Sequence, residues 1–264
     1  MSFLDKIVAD NAAALQERKA RRPIEEVELI ARSNPPARSL ALALRRDGVN
    51  IIAEVKKASP SKGVFRRRLN AVGLAKTYAA YGAAAISVVT EPYHFQGSLT
   101  SLHRVVKALG DARPPVLRKD FIVDEYEVYE SRACGADCIL LIAALLDRQR
   151  LGALLALSHE LGMDCLVEVH DETELDMVLQ LDARVIGINS RDLHSFKVEL
   201  GTFEMLRPCV PADRVVVAES GIRDAGDVRR LVDAGADAVL VGEALVMAAD
   251  VGIKLRELKC AVQG

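Results

Sequence analysis

The sequence has no tryptophan, and aromatic residues make up only 4% of its 264 residues. Its hydrophobic half consists mainly of alanine, valine, leucine and isoleucine. This composition supplies enough apolar side chains for a large core, so it excludes a low-complexity or disordered chain. It is typical of branched aliphatic packing between helices and a parallel sheet.

An excess of either charge is also missing. The 35 lysines and arginines nearly balance the 37 aspartates and glutamates, which leaves a net charge of −2. A general nucleic-acid-binding protein needs a basic surface, so this balance excludes that class of protein. It leaves a small charged substrate open.

Long apolar runs are absent as well. No stretch of the sequence approaches the roughly 18 to 20 uninterrupted apolar residues that a membrane-spanning helix needs. The first twenty residues are amphipathic and charged, without the apolar block of a signal peptide. We therefore expect a soluble, cytoplasmic protein with neither a membrane nor a nucleic-acid partner.

Cysteines and histidines show no spacing typical of a metal site. The five cysteines are odd in number, scattered and without a CxxC pair, so we expect buried, reduced thiols: they are Cys134, Cys138, Cys165, Cys209 and Cys260. The histidines are equally dispersed, and none has the partner spacing of a metal ligand or a base: they are His94, His103, His159, His170 and His194. No metal site is expected.

Motifs of several enzyme classes are missing too. The sequence has no GxSxG elbow, no HExxH helix and no phosphate-binding loop of the Walker type. Serine hydrolase, zinc protease and nucleotide triphosphatase activities therefore have no support.

The chain changes its pattern near residue 47. Residues 1–47 are helical in pattern, whereas 48–264 alternate short aliphatic strands with amphipathic helices. Eight strands are predicted, at 50–57, 83–90, 115–120, 137–143, 164–170, 183–190, 213–220 and 237–243. Each is followed by one helix, at roughly 27 residues per unit, which is the spacing of parallel strands joined by crossover helices.

Eight such units can form an open doubly wound sheet or a closed barrel, and the sequence favours the barrel. An open doubly wound sheet would carry a GxGxxG turn or a break between two halves, and neither is present. We therefore predict an α/β fold of one domain over 1–264, a (βα)8 barrel at 48–264 with an N-terminal helical extension at 1–47. The sequence does not decide whether the extension covers the barrel bottom, forms a lid at the mouth or makes an oligomer contact.

Polar side chains stand at the ends of five predicted strands. Active sites of such barrels lie at the carboxyl ends of the strands, so these residues are the candidates: Glu54, Lys56, Ser59, Lys119, Glu168, Asn189, Arg191, Glu219 and Ser220. Alternation places Glu54, Lys56 and Ile52 on one face of the first strand and Val55 on the other. A salt bridge or strand cap explains any one of them, but acids and lysines together would shift one another's pKa values, as acid–base catalysis requires.

Two glycine turns on neighbouring strands indicate a phosphate site. Gly221 follows the seventh strand, and Gly242 and Glu243 follow the eighth, where barrels frequently bind phosphate through backbone N–H groups. We expect the Glu243 side chain to point away from such an anion. The alternative is that these glycines only permit tight turns.

These residues resemble a known family. The segment IIAEVKKASPSKG at 51–63 closely resembles the signature of indole-3-glycerol phosphate synthases. Further matching segments are VTEP at 89–92, LRKDF at 117–121, LVEVH at 166–170, GINSRDL at 187–193, AESGI at 218–222 and VGEAL at 241–245. The resemblance implies a carboxy-lyase of tryptophan biosynthesis. It closes the indole ring of 1-(2-carboxyphenylamino)-1-deoxyribulose 5-phosphate with release of carbon dioxide and water, and needs no cofactor.

The resemblance also implies catalytic and binding roles for individual residues. Lys119 matches the acid of ring closure, Glu168 an acid–base group of the dehydration, and Lys56 a lysine that contacts the substrate carboxylate and shares the acid role. Glu54 and Glu219 match carboxylates that hold the lysines and the substrate. Asn189 matches a polar catalytic residue beside the ring. The substrate-binding positions are Ser59, Phe95, Phe121, Arg191, Ser220, Gly221, Gly242 and Glu243, of which the two phenylalanines line the anthranilate pocket.

Two other functions remain as alternatives. One is a different phosphate-binding barrel enzyme, such as a phosphoribosylanthranilate isomerase, which would need a Cys and an Asp at strand ends. The other is a non-catalytic barrel that binds a phosphorylated metabolite, which would not need the acids and bases. The sequence leaves a monomer and a homodimer equally open.

Overall fold

A computed structural model describes residues 3–192 and 195–262. Eight parallel strands close into a barrel: β1 (Asn50–Val55), β4 (Ala85–Val89), β5 (Val116–Lys119), β6 (Cys138–Ile142), β7 (Asp164–Val169), β8 (Val185–Asn189), β9 (Val215–Glu219) and β10 (Ala238–Val241). Around the barrel they follow one another in the order β1-β10-β9-β8-β7-β6-β5-β4. All eight predicted strands and the (βα)8 barrel are confirmed.

Helices follow the strands as predicted. Outside the barrel lie α4 (Ala71–Ala80), α5 (Leu99–Leu109), α6 (Glu125–Ala133), α7 (Arg148–Glu160), α8 (Glu172–Leu179), α9 (Gly201–Leu206), α10 (Ala225–Asp233), α11 (Glu243–Val246) and α12 (Val251–Lys259). Short 3-10 turns occupy Ala143–Leu145, Arg207–Cys209 and Cys260–Val262. The chain turns back into the sheet at Gly82, Gly135 and Gly235, whose φ angles of 77°, 86° and 96° are left-handed.

Two segments differ from the sequence pattern. The loop after β1 forms a small hairpin of β2 (Ala58–Ser59) and β3 (Gly63–Val64). The helix predicted over the last segment is two helices, because the Asp250 side chain accepts the N–H of Ile253 at 2.9 Å and so begins α12 as a new helix.

The N-terminal segment forms α1 (Phe3–Arg21), α2 (Ile24–Ser33) and α3 (Leu40–Ala43). Leu40 and Leu44 are fully buried and pack against the side chains inside the barrel, such as Ile52 and Leu166. The Ser39 hydroxyl donates to Asp164, the first residue of β7, at 2.9 Å. The α3 segment therefore closes the barrel at the amino ends of the strands.

Helices α1 and α2 run along the outside of the barrel beside α6. Arg18 on α1 pairs with Glu130 at 2.9 Å and with Glu127 at 3.2 Å. Nearer its start, Asp10 lies 2.9 Å from the ring of His94, in the loop after β4. One extension thus covers the bottom of the barrel, which is one of the possibilities left open by the sequence, and its first helix also contacts a loop at the mouth.

The barrel side chains divide into two cores. Ile52 belongs to the core inside the barrel, whereas Val55 belongs to the core between strands and helices. This confirms the predicted faces of the first strand. The prediction of buried thiols holds for Cys138 and Cys165 but was wrong for Cys209 and Cys260, which lie in exposed turns; all five cysteines are free. Within the described ranges, no helix is long and apolar enough to cross a membrane.

Candidate active site

One cavity opens at the carboxyl ends of the strands, and its volume is about 740 Å³. Every residue that the sequence pattern and the resemblance single out lines it: Glu54, Lys56, Ser59, Phe95, Lys119, Phe121, Glu168, Asn189, Arg191, Glu219, Ser220, Gly221, Gly242 and Glu243. Aliphatic side chains such as Leu140, Ile142 and Leu240 form its floor. The cavity is therefore apolar at its base, with charged groups converging above.

Lys119 lies between two buried carboxyl groups at the centre of the cavity. Its Nζ is 3.0 Å from Oε2 of Glu168 and 3.4 Å from Oε2 of Glu219. Both glutamate side chains are 2% exposed. Lys119, Glu168, Glu219 and Glu54 come from every second strand of the barrel, as side chains that share an interior layer do.

The charges of this centre are set by burial and by the neighbouring ions. Burial opposes the charge on Lys119, but Glu168, Glu219 and Glu54 outweigh it and raise its pKa well above the usual value. Burial likewise opposes the charge on Glu168, yet Lys119 and His170 hold the pKa of that carboxyl well below its usual range. Lys119 and Glu168 are therefore a charged pair at neutral pH.

Glu219 behaves in the opposite way. Burial raises its pKa to about 8, because the attraction of Lys119 does not offset the loss of solvent and the nearby charge of Glu168. At neutral pH Glu219 consequently carries a proton. The centre thus holds a cation, an anion and a neutral acid within hydrogen-bonding distance of one another.

A second lysine–glutamate pair comes from the end of β1. Nζ of Lys56 lies 2.6 Å from Oε1 of Glu54, whose side chain is almost fully buried. The hydroxyl of Tyr78 donates to the backbone oxygen of Glu54 at 3.1 Å, which fixes the end of the strand. Gly242 leaves room for this pair, since a β-carbon there would overlap the Glu54 carboxylate.

The two glycine turns lie side by side at the rim of the cavity. Ser220 and Gly221 both have left-handed backbones, with φ angles of 67° and 80°. Such a conformation is strained for serine, and strained residues cluster at active sites. Glu243 is paired with Lys62 of the β2–β3 hairpin, so the carboxylate beside this turn already has a cationic partner.

The remaining predicted residues shape the walls. Phe95 and Phe121 have ring centroids 6.0 Å apart and are tilted by 39°. Oδ1 of Asn189 accepts the backbone N–H of Arg191 at 3.0 Å, and the Arg191 guanidinium donates to the backbone oxygen of Phe196 at 3.3 Å. Asn189 and Arg191 therefore hold the loop after β8 against the cavity.

Several residues of the site were not indicated by the sequence pattern. His170, directly after β7, lies 3.2 Å from Glu168, and its position two residues beyond that glutamate is the signal that would have found it. Lys62, Arg223 and Lys254 also line the cavity. His194, dismissed as a site residue with the other histidines, lies outside the described residues. No group of three His, Cys, Asp or Glu side chains within the described part of the chain is placed to hold a metal ion.

Comparison with solved structures identifies the same fold in enzymes of distant sequence. A 3-hexulose-6-phosphate synthase from Salmonella typhimurium has a TM-score of 0.67 and 14% identity, covering 81% of this chain and 99% of that one. A thiamine phosphate pyrophosphorylase from Pyrococcus furiosus has a TM-score of 0.63 and 17% identity, covering 85% and 98%. At this identity the likeness shows the barrel alone.

Comparison of sequences is more specific. The family model of indole-3-glycerol phosphate synthase matches residues 4–258. An indole-3-glycerol phosphate synthase of Dehalococcoides mccartyi (strain CBDB1) is 50% identical over 97% of this chain and 99% of its own length. One from Roseiflexus sp. (strain RS-1) is 47% identical over 97% and 98%. The chain belongs to the indole-3-glycerol phosphate synthase family and is a carboxy-lyase of tryptophan biosynthesis.

Proposed function

We propose that Lys119 is the general acid of ring closure and that Glu168 is the acid–base group of the dehydration. The observation that carries this assignment is the charged pair of Lys119 and Glu168 beside a protonated Glu219. The substrate is 1-(2-carboxyphenylamino)-1-deoxyribulose 5-phosphate. Its ketone oxygen must gain a proton during ring closure, and the CH₂ carbon of the new ring must later lose one.

In ring closure, the aromatic carbon that bears the carboxylate attacks the ketone carbon. Lys119 donates a proton to the ketone oxygen as the new carbon–carbon bond forms, and the oxygen becomes a hydroxyl. Carbon dioxide then leaves, and its bonding electrons restore the aromatic ring. The ammonium of Lys119 is largely buried, so its charge acts more strongly on a developing oxyanion than it would in water.

In dehydration, the hydroxyl takes a proton from the ammonium of Lys56, which shares the acid role, and leaves as water, and the neighbouring CH₂ carbon loses a proton. Glu168 is the ionised carboxylate of the centre and takes that proton, while the ring nitrogen supplies electrons. Glu219 keeps its own proton and holds Lys119 in place. The two glutamates that contact Lys119 thereby take different roles, one as a base and one as a neutral partner, and their different surroundings support this division.

We assign the rest of the substrate to the rim of the cavity. Lys56, held by Glu54, contacts the substrate carboxylate, and the two phenylalanines enclose the anthranilate ring. The phosphate lies at the turns of Ser220–Gly221 and Gly242–Glu243, with Ser59 on the loop after β1. Asn189 and Arg191 orient the ring and the loop, a placement on which rates depend steeply.

The alternative functions have less support. A phosphoribosylanthranilate isomerase would need a cysteine at a strand end, but Cys138 and Cys165 stand at the beginnings of their strands. A barrel that only binds a metabolite gains nothing from burying two glutamates and a lysine together, which costs stability. We place the enzyme in the cytoplasm, because five free cysteines suit a reducing compartment.

A steady-state assay of the purified chain with this substrate tests the proposed function. No metal or cofactor is added, and indole formation is followed by fluorescence against the low background of a protein without tryptophan. Turnover that Lys119→Ala abolishes supports the assignment. A folded protein that binds the substrate without turnover would support the binding barrel instead.

A further inference from the structure

His170 stands directly after β7, between two carboxylates. Its Nε2 lies 3.2 Å from Oε1 of Glu168, and its Nδ1 lies 3.0 Å from Oε2 of Glu174 on α8. The backbone N–H of His170 donates to the same Glu174 oxygen at 2.8 Å. Glu174 therefore anchors His170 at two points, while the contact of Nε2 with Glu168 is an ion pair and not an aligned hydrogen bond.

Glu168 consequently has a cationic partner on each oxygen. Lys119 approaches Oε2 from the cavity at 3.0 Å, whereas His170 approaches Oε1. Among the described residues His170 lies outside the lining of the large cavity and lines a smaller one of about 300 Å³. The other charged side chains that line this smaller cavity are two cations and two anions, whose charges balance: Arg191, Asp192, Lys197 and Glu199.

The two carboxylates favour the charged form of His170. A neutral imidazole has a single N–H and would turn a lone pair towards one of them, but an imidazolium has an N–H for each. Burial opposes this charge, yet Glu168 and Glu174 together raise the pKa of His170 to about 10. His170 is therefore cationic at neutral pH.

Glu219 shows how a buried carboxyl in this centre behaves without such a partner. Glu168 and Glu219 are equally buried, and both contact Lys119. Within the part of the chain that the structure describes, no histidine is paired with Glu219. Burial raises the pKa of Glu219 to about 8, whereas Lys119 and His170 hold the pKa of Glu168 well below its usual range.

We propose that His170 is a positioning residue, an imidazolium anchored by Glu174 that keeps Glu168 ionised and directed at Lys119. The proposal rests on the role proposed above for Glu168. Without the imidazolium, Glu168 and Glu219 would become similar carboxyls that compete for one proton beside Lys119. The division of their roles would then be lost at neutral pH.

His170→Asn tests this proposal, because asparagine keeps a polar group without the charge. The acid limb of the kcat/KM profile should move up by about 3 to 5 pH units, as the pKa of Glu168 rises towards that of Glu219, so that turnover falls near pH 7 and recovers at higher pH. KM should change by no more than about twofold, since His170 lies outside the substrate cavity. Glu174→Gln should produce a smaller shift in the same direction.

His159→Asn is the matched control, because His159 lies 3.7 Å from a carboxylate oxygen of Asp182 on the outside of the barrel. That variant should leave the pH profile unchanged. An unchanged profile in His170→Asn, or an equal loss of rate at every pH, would overturn the proposal.

A second readout needs no activity. Carbon-13 NMR of the Glu168 carboxyl should give a higher pKa in His170→Asn than in the unaltered chain, and nitrogen-15 NMR should show a protonated His170 ring at pH 7. A neutral ring or an unmoved Glu168 titration overturns the positioning role. Full turnover of Glu168→Gln would instead overturn the role of Glu168 itself, so the two failures are distinguishable.

Discussion

The carboxylate of Glu219 occupies the space that any side chain at Gly187 would need. Gly187 lies on β8, inside the barrel next to β9, and a β-carbon there would overlap Oε1 of Glu219 and press on Leu166. The glycine therefore belongs to the active centre, although it carries no functional group. It lets a buried carboxyl lie flat against the neighbouring strand.

Gly187→Ala should displace Glu219 and with it Lys119. We expect kcat/KM to fall by a factor of about 10 to 100, because small displacements in such a centre are costly. Unfolding by urea should show a loss of about 1 to 3 kcal/mol from overpacking. In a Glu219→Ala background that loss should largely disappear, since the overlap is removed.

Gly152→Ala is the control for this prediction. A β-carbon at Gly152 on α7 would meet Leu181 at an ordinary 3.4 Å, and alanine favours a helix. This variant should keep its activity and its stability. Equal behaviour of the two variants would contradict the role assigned to Gly187.

Glu219→Gln should act as a mimic of the protonated Glu219. Because the pKa of Glu219 is raised to about 8, the side chain is neutral at pH 7, and glutamine preserves that state. We expect the variant to keep most of its turnover near pH 7 and to lose the change in kcat/KM near pH 8. A loss of turnover at pH 7 as severe as in Glu219→Ala would show that the ionised form is needed.

The same proton has a consequence for stability. Between the ordinary pKa of a glutamate and about 8, the folded chain holds a proton on Glu219 that the unfolded chain has lost. This group therefore favours folding at low pH, and its contribution declines as pH rises. Relative to Glu219→Gln, the unaltered chain should lose up to about 1.4 kcal/mol per pH unit across this window, measured by urea unfolding.

The residues at the strand ends could be predicted from the sequence, because the active site of a (βα)8 barrel lies at the carboxyl ends of all its strands. An acid after a run such as Cys165, Leu166 and Val167 has to face the mouth, since the interior below is apolar. The opposite charge states of Glu168 and Glu219 were not readable. They depend on which oxygen meets which cation, and that geometry comes from the packing of three strands and α8.

The closure of the barrel bottom by the α3 segment could not be predicted from the sequence pattern either. Leu40 and Leu44 look like ordinary residues of an amphipathic helix, and their place depends on long-range contacts such as that of Ser39 with Asp164. Helix periodicity indicates which face is buried but not against what.

Lys119→Ala should lower turnover by a factor of about 100 or more. The fold should survive, because Glu219 is already neutral and Glu168 keeps His170 as a partner. Lys56→Ala should raise KM and also lower kcat, since Lys56 is assigned to the substrate carboxylate and shares the acid role. Lys76→Ala, an exposed position on α4, serves as the control, and near-normal turnover of Lys119→Ala would refute the assignment.

Gly221→Ala tests the proposed phosphate turn. A β-carbon at Gly221 would press on Val198 and Leu200, and the left-handed backbone would be strained. We expect KM and the inhibition constant of inorganic phosphate to rise together by about tenfold or more, with a smaller change in kcat. Gly201→Ala, where the structure shows open space, should change neither constant. Equal phosphate inhibition in both variants would mean that the phosphate does not bind at the Gly221 turn.

Glu91 is fully buried at the end of β4 and organises the loop that carries Phe95. Its carboxylate accepts the backbone N–H groups of Tyr93, His94 and Phe95 at 2.9, 2.7 and 2.8 Å. Glu91→Gln replaces one acceptor oxygen by an NH₂ group that faces those donors, so the loop must rearrange. Phe95 should then lose its fixed place beside Phe121.

We expect Glu91→Gln to raise KM by about tenfold and to leave kcat less affected, because Phe95 lines the wall of the cavity and not the lysine centre. Phe95→Ala should have a similar effect, and the double variant should add little to either, since both changes remove one contact. Glu125→Gln, an exposed glutamate on α6, is the control. Additive effects in the double variant would mean that Glu91 acts on the cavity by a route other than Phe95.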